Sequence, residues 1–407
     1  MSSPPVQAAT RADVLPATHA RQTLAAAGLA HALHDGFTST IYVLLPVWQA
    51  QFALSYGALA ILRALYVGAL AAFQIPSSRL ARTLTGRTVL ALGTALSAGG
   101  YALAGLSGGL VGLCLSLALA GAGGSTQHPL ASAAVSRAYG QAARGPLGTY
   151  NFAGDLGKAA LPPAVSLLLT VLPWRSTLWI VAGLGVAVAL LIRWLMPPQG
   201  ELPGSALGAR KATASTAGGK GGFWLLLAIG MLDGAAGVTL LLFLPALLQS
   251  KGAPLPTLGL ALALLFIGGA CGKAACGWLG ARLGLLATVV GTELGTAAAI
   301  LAVLVLPLLP ALILLPFLGV MLNGTSSVLY GTVPELVGRD RIEHAFALFY
   351  SGTLGAGALA PVLFGWLGDA AGPVWATAAG ASAALCVVPL AVLLAPRLAS
   401  GVPVRNS

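Results

Sequence analysis

Charge is what this chain has least of. Only 8% of its 407 residues are Asp, Glu, Lys or Arg, and only 10 of those are acidic. Soluble globular domains carry roughly 25% charged residues, so a water-soluble surface is excluded. Cysteine is also scarce, at 4 residues. Cys114, Cys271, Cys276 and Cys386 all fall inside apolar runs at spacings that match no zinc site, so they read as packing residues rather than a disulfide or metal framework. No Gly-x-x-x-x-Gly-Lys-Ser/Thr loop is present, and no polar stretch is long enough to fold a nucleotide-binding domain, which argues against ATP as the energy source. The formal net charge of +11 comes without any basic run that would track a phosphate backbone, so a nucleic-acid partner is excluded as well.

Apolar residues are what the chain has in excess, at 57%. They form about twelve stretches of about 20 residues, each long enough to cross a bilayer as a helix. Spans 1 to 6 are expected near 24–49, 57–76, 88–106, 109–130, 146–171 and 176–196, and spans 7 to 12 near 223–249, 257–279, 286–306, 310–333, 345–368 and 374–396. Residues 1–22 are polar, and the apolar run that follows is too long for a signal-peptide core, so this segment reads as a tail rather than a cleaved leader. Residues 197–222 have no apolar period and hold Pro, Gly, Ser, Thr and Lys, the composition of a linker. The expected organisation is therefore a tail (1–22), a six-helix half (23–196), a linker (197–222), a second six-helix half (223–396) and a tail (397–407). The fold class is all-α integral membrane, with twelve transmembrane helices in two pseudo-symmetric halves.

Basic residues orient the chain. Arg79, Arg82 and Arg87 follow span 2, Arg137 and Arg144 follow span 4, and Arg193 ends span 6. Arg210, Lys211 and Lys220 lie in the linker, and Arg282, Arg339, Arg341, Arg397 and Arg405 continue the alternation. The opposite loops hold only Arg175 and Lys251. The positive-inside rule places both termini and the linker in the cytoplasm, as for a multi-pass protein of a bacterial-type inner membrane.

The two halves repeat. His34-Asp35-Gly36 through Leu44-Leu45-Pro46 is echoed half a chain later by Leu232-Asp233-Gly234 through Phe243-Leu244-Pro245. Gly124-Ser125-Thr126 is echoed by Gly324-Thr325-Ser326, and Tyr150 through Pro162 by Tyr350 through Pro361. The basic turn at Gly86-Arg87 after span 2 corresponds to Gly277 through Gly284 after span 8. Correspondences that keep the same order point to a transporter built from two related halves.

With twelve spans, a repeat, a central linker and basic turns after spans 2 and 8, the chain resembles the major facilitator superfamily. The span 8 turn is similar to that family's Gly-x-x-x-Asp-Arg-x-Gly motif, with Ala281 in place of the Asp; the resemblance implies a gating role for Arg87 and Arg282 around it. A narrower resemblance is to the fosmidomycin-resistance branch. His31-Ala32-Leu33-His34-Asp35 is similar to its His-x-x-Asn-Asp, with His34 for Asn. Gly121 through Gln127-His128-Pro129 is similar to its Gly-x-Gly-x-x-x-x-His-Pro, and Gly154-Asp155-Leu156-Gly157 to its Gly-Asn-x-Gly. The departures fall at polar positions, so the resemblance leaves the substrate open.

Ionisable residues at mid-membrane are costly and mark function by default. His31, His34 and Asp35 share one helical face of span 1. They read as a proton site, in which a desolvated carboxylate and a neighbouring imidazole exchange a proton, or as a local structural network. Arg63 in span 2 is the expected partner of Asp35, or a fork for an anionic substrate group. Asp155 and Lys158 are spaced for an ion pair on span 5, with Lys158 as a switchable positive site and Asn151 one turn earlier as a hydrogen-bonder. Asp233 has no base in its own span, and Lys273 in span 8 is the expected partner and a gating residue. Glu293 in span 9 reads as structural. Gln127, His128, Asn323 and Tyr330 are candidate cavity residues.

The reading is a secondary active transporter working by alternating access. It moves a small polar or anionic compound, with protons as the coupling ion and export as the direction, as a monomer and with no cofactor or metal. An organic-anion importer uses the same buried bases. A membrane-embedded metal enzyme with His31, His34, Asp35 and His128 as ligands is the alternative of another class.

Overall fold

The computed structural model describes residues 17–81, 83–197, 220–337 and 342–399. Arg82, Arg210, Lys211, Arg339, Arg341 and Arg405, with nearly all of the linker and most of both tails, lie outside the described residues. Helices carry nearly everything else, and no strand occurs among the described residues. Hydrocarbon offers a backbone no hydrogen-bond partner, so a chain this apolar must satisfy its amides within helices.

Spans 1 to 3 are Ala17–Phe52, Tyr56–Leu80 and Gly86–Ala104. Span 4 is Leu110–Gly124, continued through a π-helical turn at Gln127–Ala131 into Ser132–Tyr139. Spans 5 and 6 are Arg144–Val171 and Trp174–Leu195, and span 7 is Lys220–Ser250. Spans 8 and 9 arise from one helical run, Leu255–Val305, interrupted at Gly284, whose φ of 80° requires glycine. Their membrane-length parts are Leu255–Gly280 and Arg282–Val305. Spans 10 to 12 are Leu308–Leu336, Ile342–Ala371 and Pro373–Ala399. Large apolar side chains face outward, among them Val305 at 82% exposure and Trp194 at 79%, as expected of a surface solvated by lipid.

Short connections alternate between two ends of the bundle. The far end, opposite the end of span 6 and the start of span 7, carries the two basic loop residues that the charge pattern leaves isolated. Lys251 caps the end of span 9, and Arg175 ties the start of span 6 to the loop after span 3. Arg175 Nη2 donates to Ser107 O at 3.0 Å, and Lys251 Nζ donates to Leu304 O at 3.0 Å and Leu306 O at 2.7 Å. A cation at a helix C-terminus satisfies orphan carbonyls and complements the dipole.

The repeat is also visible in the packing. Gln127 Nε2 donates to Thr94 Oγ1 at 2.8 Å, tying span 4 to span 3. Thr325 Oγ1 bonds Thr292 Oγ1 at 2.8 Å, tying span 10 to span 9 at the same chain separation. Close helix crossings need small residues. Gly157 is the tightest on the site side, since a Cβ there would lie 1.9 Å from Ala32 O on span 1. Gly157→Ala must therefore push spans 1 and 5 apart, and overpacking of this kind costs about 1–3 kcal/mol. A clear fall in the melting temperature of the purified protein is expected, and an unchanged melting temperature would mean that the crossing is looser than described.

The halves meet tightly at the far end. A Cβ on Gly259 of span 8 would sit 2.6 Å from Pro163 Cα of span 5, and one on Gly365 of span 11 would lie 2.9 Å from Tyr56 O. Asp369, at the end of span 11, reaches across to the start of span 2. Its Oδ1 accepts from Tyr56 N–H at 2.6 Å and its Oδ2 from Gly57 N–H at 2.9 Å. Ser55 caps the same helix from within its own half, accepting from Ala58 N–H at 3.2 Å. Nothing in the local sequence announces the role of Asp369, because its partners are backbone amides of the other half. Asp369→Ala should speed amide exchange at Tyr56 and Gly57 roughly tenfold, since hydrogen bonds to a charged group contribute about 1.5–3 kcal/mol and this one is partly exposed. Unchanged exchange at these amides would show that the contact does not hold the halves together.

Candidate functional site

The site is a run of charges at mid-bundle, beginning on span 1. Asp35 is 7% exposed and His31 5%. His31 Nδ1 lies 2.9 Å from Tyr150 O, and a carbonyl can only accept, so Nδ1 carries the hydrogen. Nε2 then faces Asp35 Oδ2 at 3.5 Å. The ring thus bridges the span 5 backbone and the span 1 acid. Tyr150 stacks on the ring, with centroids 4.2 Å apart.

Span 5 can approach this pair because of its glycines. A Cβ on Gly154 would lie 2.7 Å from Asp35 Oδ2 and 2.9 Å from His31 Nε2. The Gly-Asp-Leu-Gly segment thus presses its first glycine under the acid and its last against the span 1 backbone. That approach delivers Lys158, whose Nζ lies 2.9 Å from Asp35 Oδ2 and 3.6 Å from Asp155 Oδ1. Asp155 in turn receives Lys273 of span 8, with Nζ 2.6 Å from Oδ1 and 2.9 Å from Oδ2. The run His31–Asp35–Lys158–Asp155–Lys273 alternates in kind and crosses from one half to the other. The lysine side chains keep 29% and 41% exposure against about 10% for the carboxylates. The bases are therefore the accessible members.

Two expected pairings are replaced. Arg63 is not the partner of Asp35: its Nε donates to Tyr42 Oη at 2.9 Å, and its guanidinium lies 5.5 Å from that ring's centre. Lys273 bonds Asp155 rather than Asp233. Asp233 instead adjoins Glu293 of span 9. In both cases the partner is chosen by how the helices cross, which residue spacing within one span does not reveal.

The other candidates divide between site and scaffold. His128 lies on the π-helical turn of span 4, and Ser132 Oγ donates to the His128 carbonyl that the irregular turn leaves available. The His128 ring meets His31 and His34 edge-on, with centroids 5.2 Å and 5.3 Å away. Donor atoms of His31, Asp35 and His128 all lie within 4.8 Å of one another, so these three are the residues that would hold a metal ion. The Lys158 ammonium already serves as the cation at Asp35. His34 Nδ1 is buried without a partner and turns toward Gly124. Gln127 is held by Thr94 of span 3. Asn151 is exposed on span 5. Asn323 faces Gly269 of span 8, and Tyr330 packs on Phe349 with ring centroids 5.1 Å apart. Arg87 Nη1 donates to Met196 O at 3.1 Å, and Arg282 stacks over Trp278 at 4.3 Å. Both contacts stay within one half.

A cavity of about 140 Å³ opens between the halves, lined by Val67, Gly68, Ala71 and Gln74 of span 2 and by Tyr350 and Leu354 of span 11. Tyr350 lies within electrostatic range of Asp35, Lys158 and Tyr150. Gln74 and Tyr350 carry no signal of their own in the sequence, although Tyr350 is the repeat counterpart of Tyr150.

The family model described as Major Facilitator Superfamily matches residues 27–315. No protein of curated function matches the sequence. Among solved structures, the fold is similar to a bacterial homolog of the human lysosomal transporter Spinster, solved in inward-facing occupied and unoccupied conformations. The TM-scores are 0.71 and 0.72 at 16% identity, covering 93% and 95% of this chain and 96% and 98% of those chains. It is also similar to the nucleoside transporter NupG, with a TM-score of 0.72 at 15% identity over 95% of this chain and 100% of that one.

Proposed function

The chain belongs to the major facilitator superfamily, and from that premise we propose that it is a proton-coupled secondary transporter exporting a small polar or anionic compound by alternating access. The observation that carries the reading is the charged run joining the halves. Lys158 is shared by Asp35 and Asp155, and Asp155 is shared by Lys158 and Lys273. A proton on Asp35 releases Lys158 toward Asp155, which weakens the hold of Asp155 on Lys273 and frees the halves to rock. A substrate anion at the half-exposed lysines competes with the same carboxylates, so proton and substrate act on one set of bonds. Asp233 is the second proton site, and His31 and His34 pass protons to Asp35.

Resemblance to a drug-resistance branch supports export, and the basic residues support an anionic group on the substrate. Both termini facing the cytoplasm, an inner-membrane location and a monomeric carrier complete the reading. The test begins with a thermal-shift screen of organic anions, phosphonates and antibiotics, since a ligand that binds the folded state raises apparent stability. A hit is then tested for counterflow in proteoliposomes. Exchange of labelled against unlabelled compound is expected. Binding without exchange would leave a receptor, and stoichiometric metal with hydrolysis and no flux would leave an enzyme.

A further inference from the structure

The two halves compensate their buried acids differently. Asp35 in span 1 has Lys158 and His31. Asp233, its repeat counterpart in span 7, is equally buried at 8% exposure, and its neighbour is another acid, Glu293, which is wholly buried. The bonds Thr94–Gln127 and Thr292–Thr325 register the halves on each other. In that register the position beside Thr94 is Ala95, where Thr292 has Glu293. The acid pair therefore belongs to the C-terminal half alone.

Both Glu293 oxygens are buried without a hydrogen-bond donor among the described residues. Thr325 lies close, but its hydroxyl is engaged with Thr292 Oγ1 at 2.8 Å. Tyr330 of span 10 is the other titratable group near Asp233. The ion pairs among the described residues involve neither acid, and Lys273 is bonded to Asp155. Two adjoining carboxylates in this setting would carry mutual repulsion on top of the desolvation cost of each charge. A carboxyl group facing another carboxyl is satisfied when one of the two holds a proton and donates it.

We propose that Asp233 and Glu293 form a shared-proton carboxyl pair, and that this pair is the proton site of the C-terminal half. Its use in transport rests on the proton-coupled reading above, whereas its existence rests on the pair alone. Asp233 is the exchanging member because it keeps a little exposure. Glu293 is the internal partner, and the shared proton leaves from Asp233 when the halves move and water reaches it.

Infrared spectroscopy of the purified full-length protein reads the pair without any substrate. The wild-type spectrum minus that of the Asp233→Asn, Glu293→Gln double variant should show, at neutral pH, the carbonyl stretch of a protonated carboxyl that shifts in heavy water. A flat difference spectrum overturns the proposal. If the double variant does not elute as a monodisperse species, Glu293→Gln alone supplies the subtraction. The side-chain amide that this substitution introduces can donate to Asp233 and satisfy it as the carboxylate, so the band should again be lost, and a retained band counts against sharing. Asp35→Asn should leave the band in place. A band that persists while no substrate drives protons would reject the coupled-transport reading and keep the pair; proton-driven transport with a flat spectrum would do the reverse.

Discussion

Replacing Asp155 by Asn should lower pH-driven flux in proteoliposomes by more than about tenfold at unchanged protein level. Each charge-assisted bond of this kind contributes about 1.5–3 kcal/mol, and solvent screening of the two half-exposed lysines reduces that. A shift of about 1.4 kcal/mol between the two carrier states already changes their ratio tenfold. Asp155 is the only carboxylate in the run that touches both lysines and therefore both halves. Lys273→Gln breaks the same cross-half bond from the other side, so the two effects should not add: the double variant should be no slower than the worse single one. Additive losses would mean that Asp155 and Lys273 act separately, and that the bond between them is incidental to transport.

Asp35→Asn has the larger expected effect on coupling. The amide keeps the shape of the side chain and removes both the charge that holds Lys158 at 2.9 Å and the group proposed to take the proton. pH-driven flux should fall to the background of empty vesicles, while counterflow, which needs no net proton movement, is retained in part. The split between the two assays is the signature, because misfolding would lower both. Normal transport against a gradient by this variant would remove Asp35 from the coupling mechanism.

The architecture was legible because bilayer thickness sets the length of an apolar run, and length is written directly in sequence. Span ends were less so: span 1 begins at Ala17 and span 4 continues to Tyr139, each through residues too polar or too broken by Pro129 to read as membrane helix. Within the site, the His31–Asp35 pair followed from helical spacing. Lys158 as the partner of Asp35 did not, since it depends on Gly154 and Gly157 letting span 5 settle against span 1. The Asp155–Lys273 bond joins two halves whose relative placement no local pattern encodes. Asp369 was missed for the same reason: it is matched to backbone amides of the other half, and that match has no spacing rule.

The measurement that tests the account most directly is lumenal pH in sealed proteoliposomes loaded with a compound identified by the thermal screen and diluted into compound-free buffer. Efflux down its gradient should acidify the lumen, as protons enter in exchange, and Asp35→Asn should abolish that signal. Lumenal alkalinisation would reverse the coupling and make the protein a symporter suited to import. Compound leaving through the wild-type protein with no movement of protons would contradict the account.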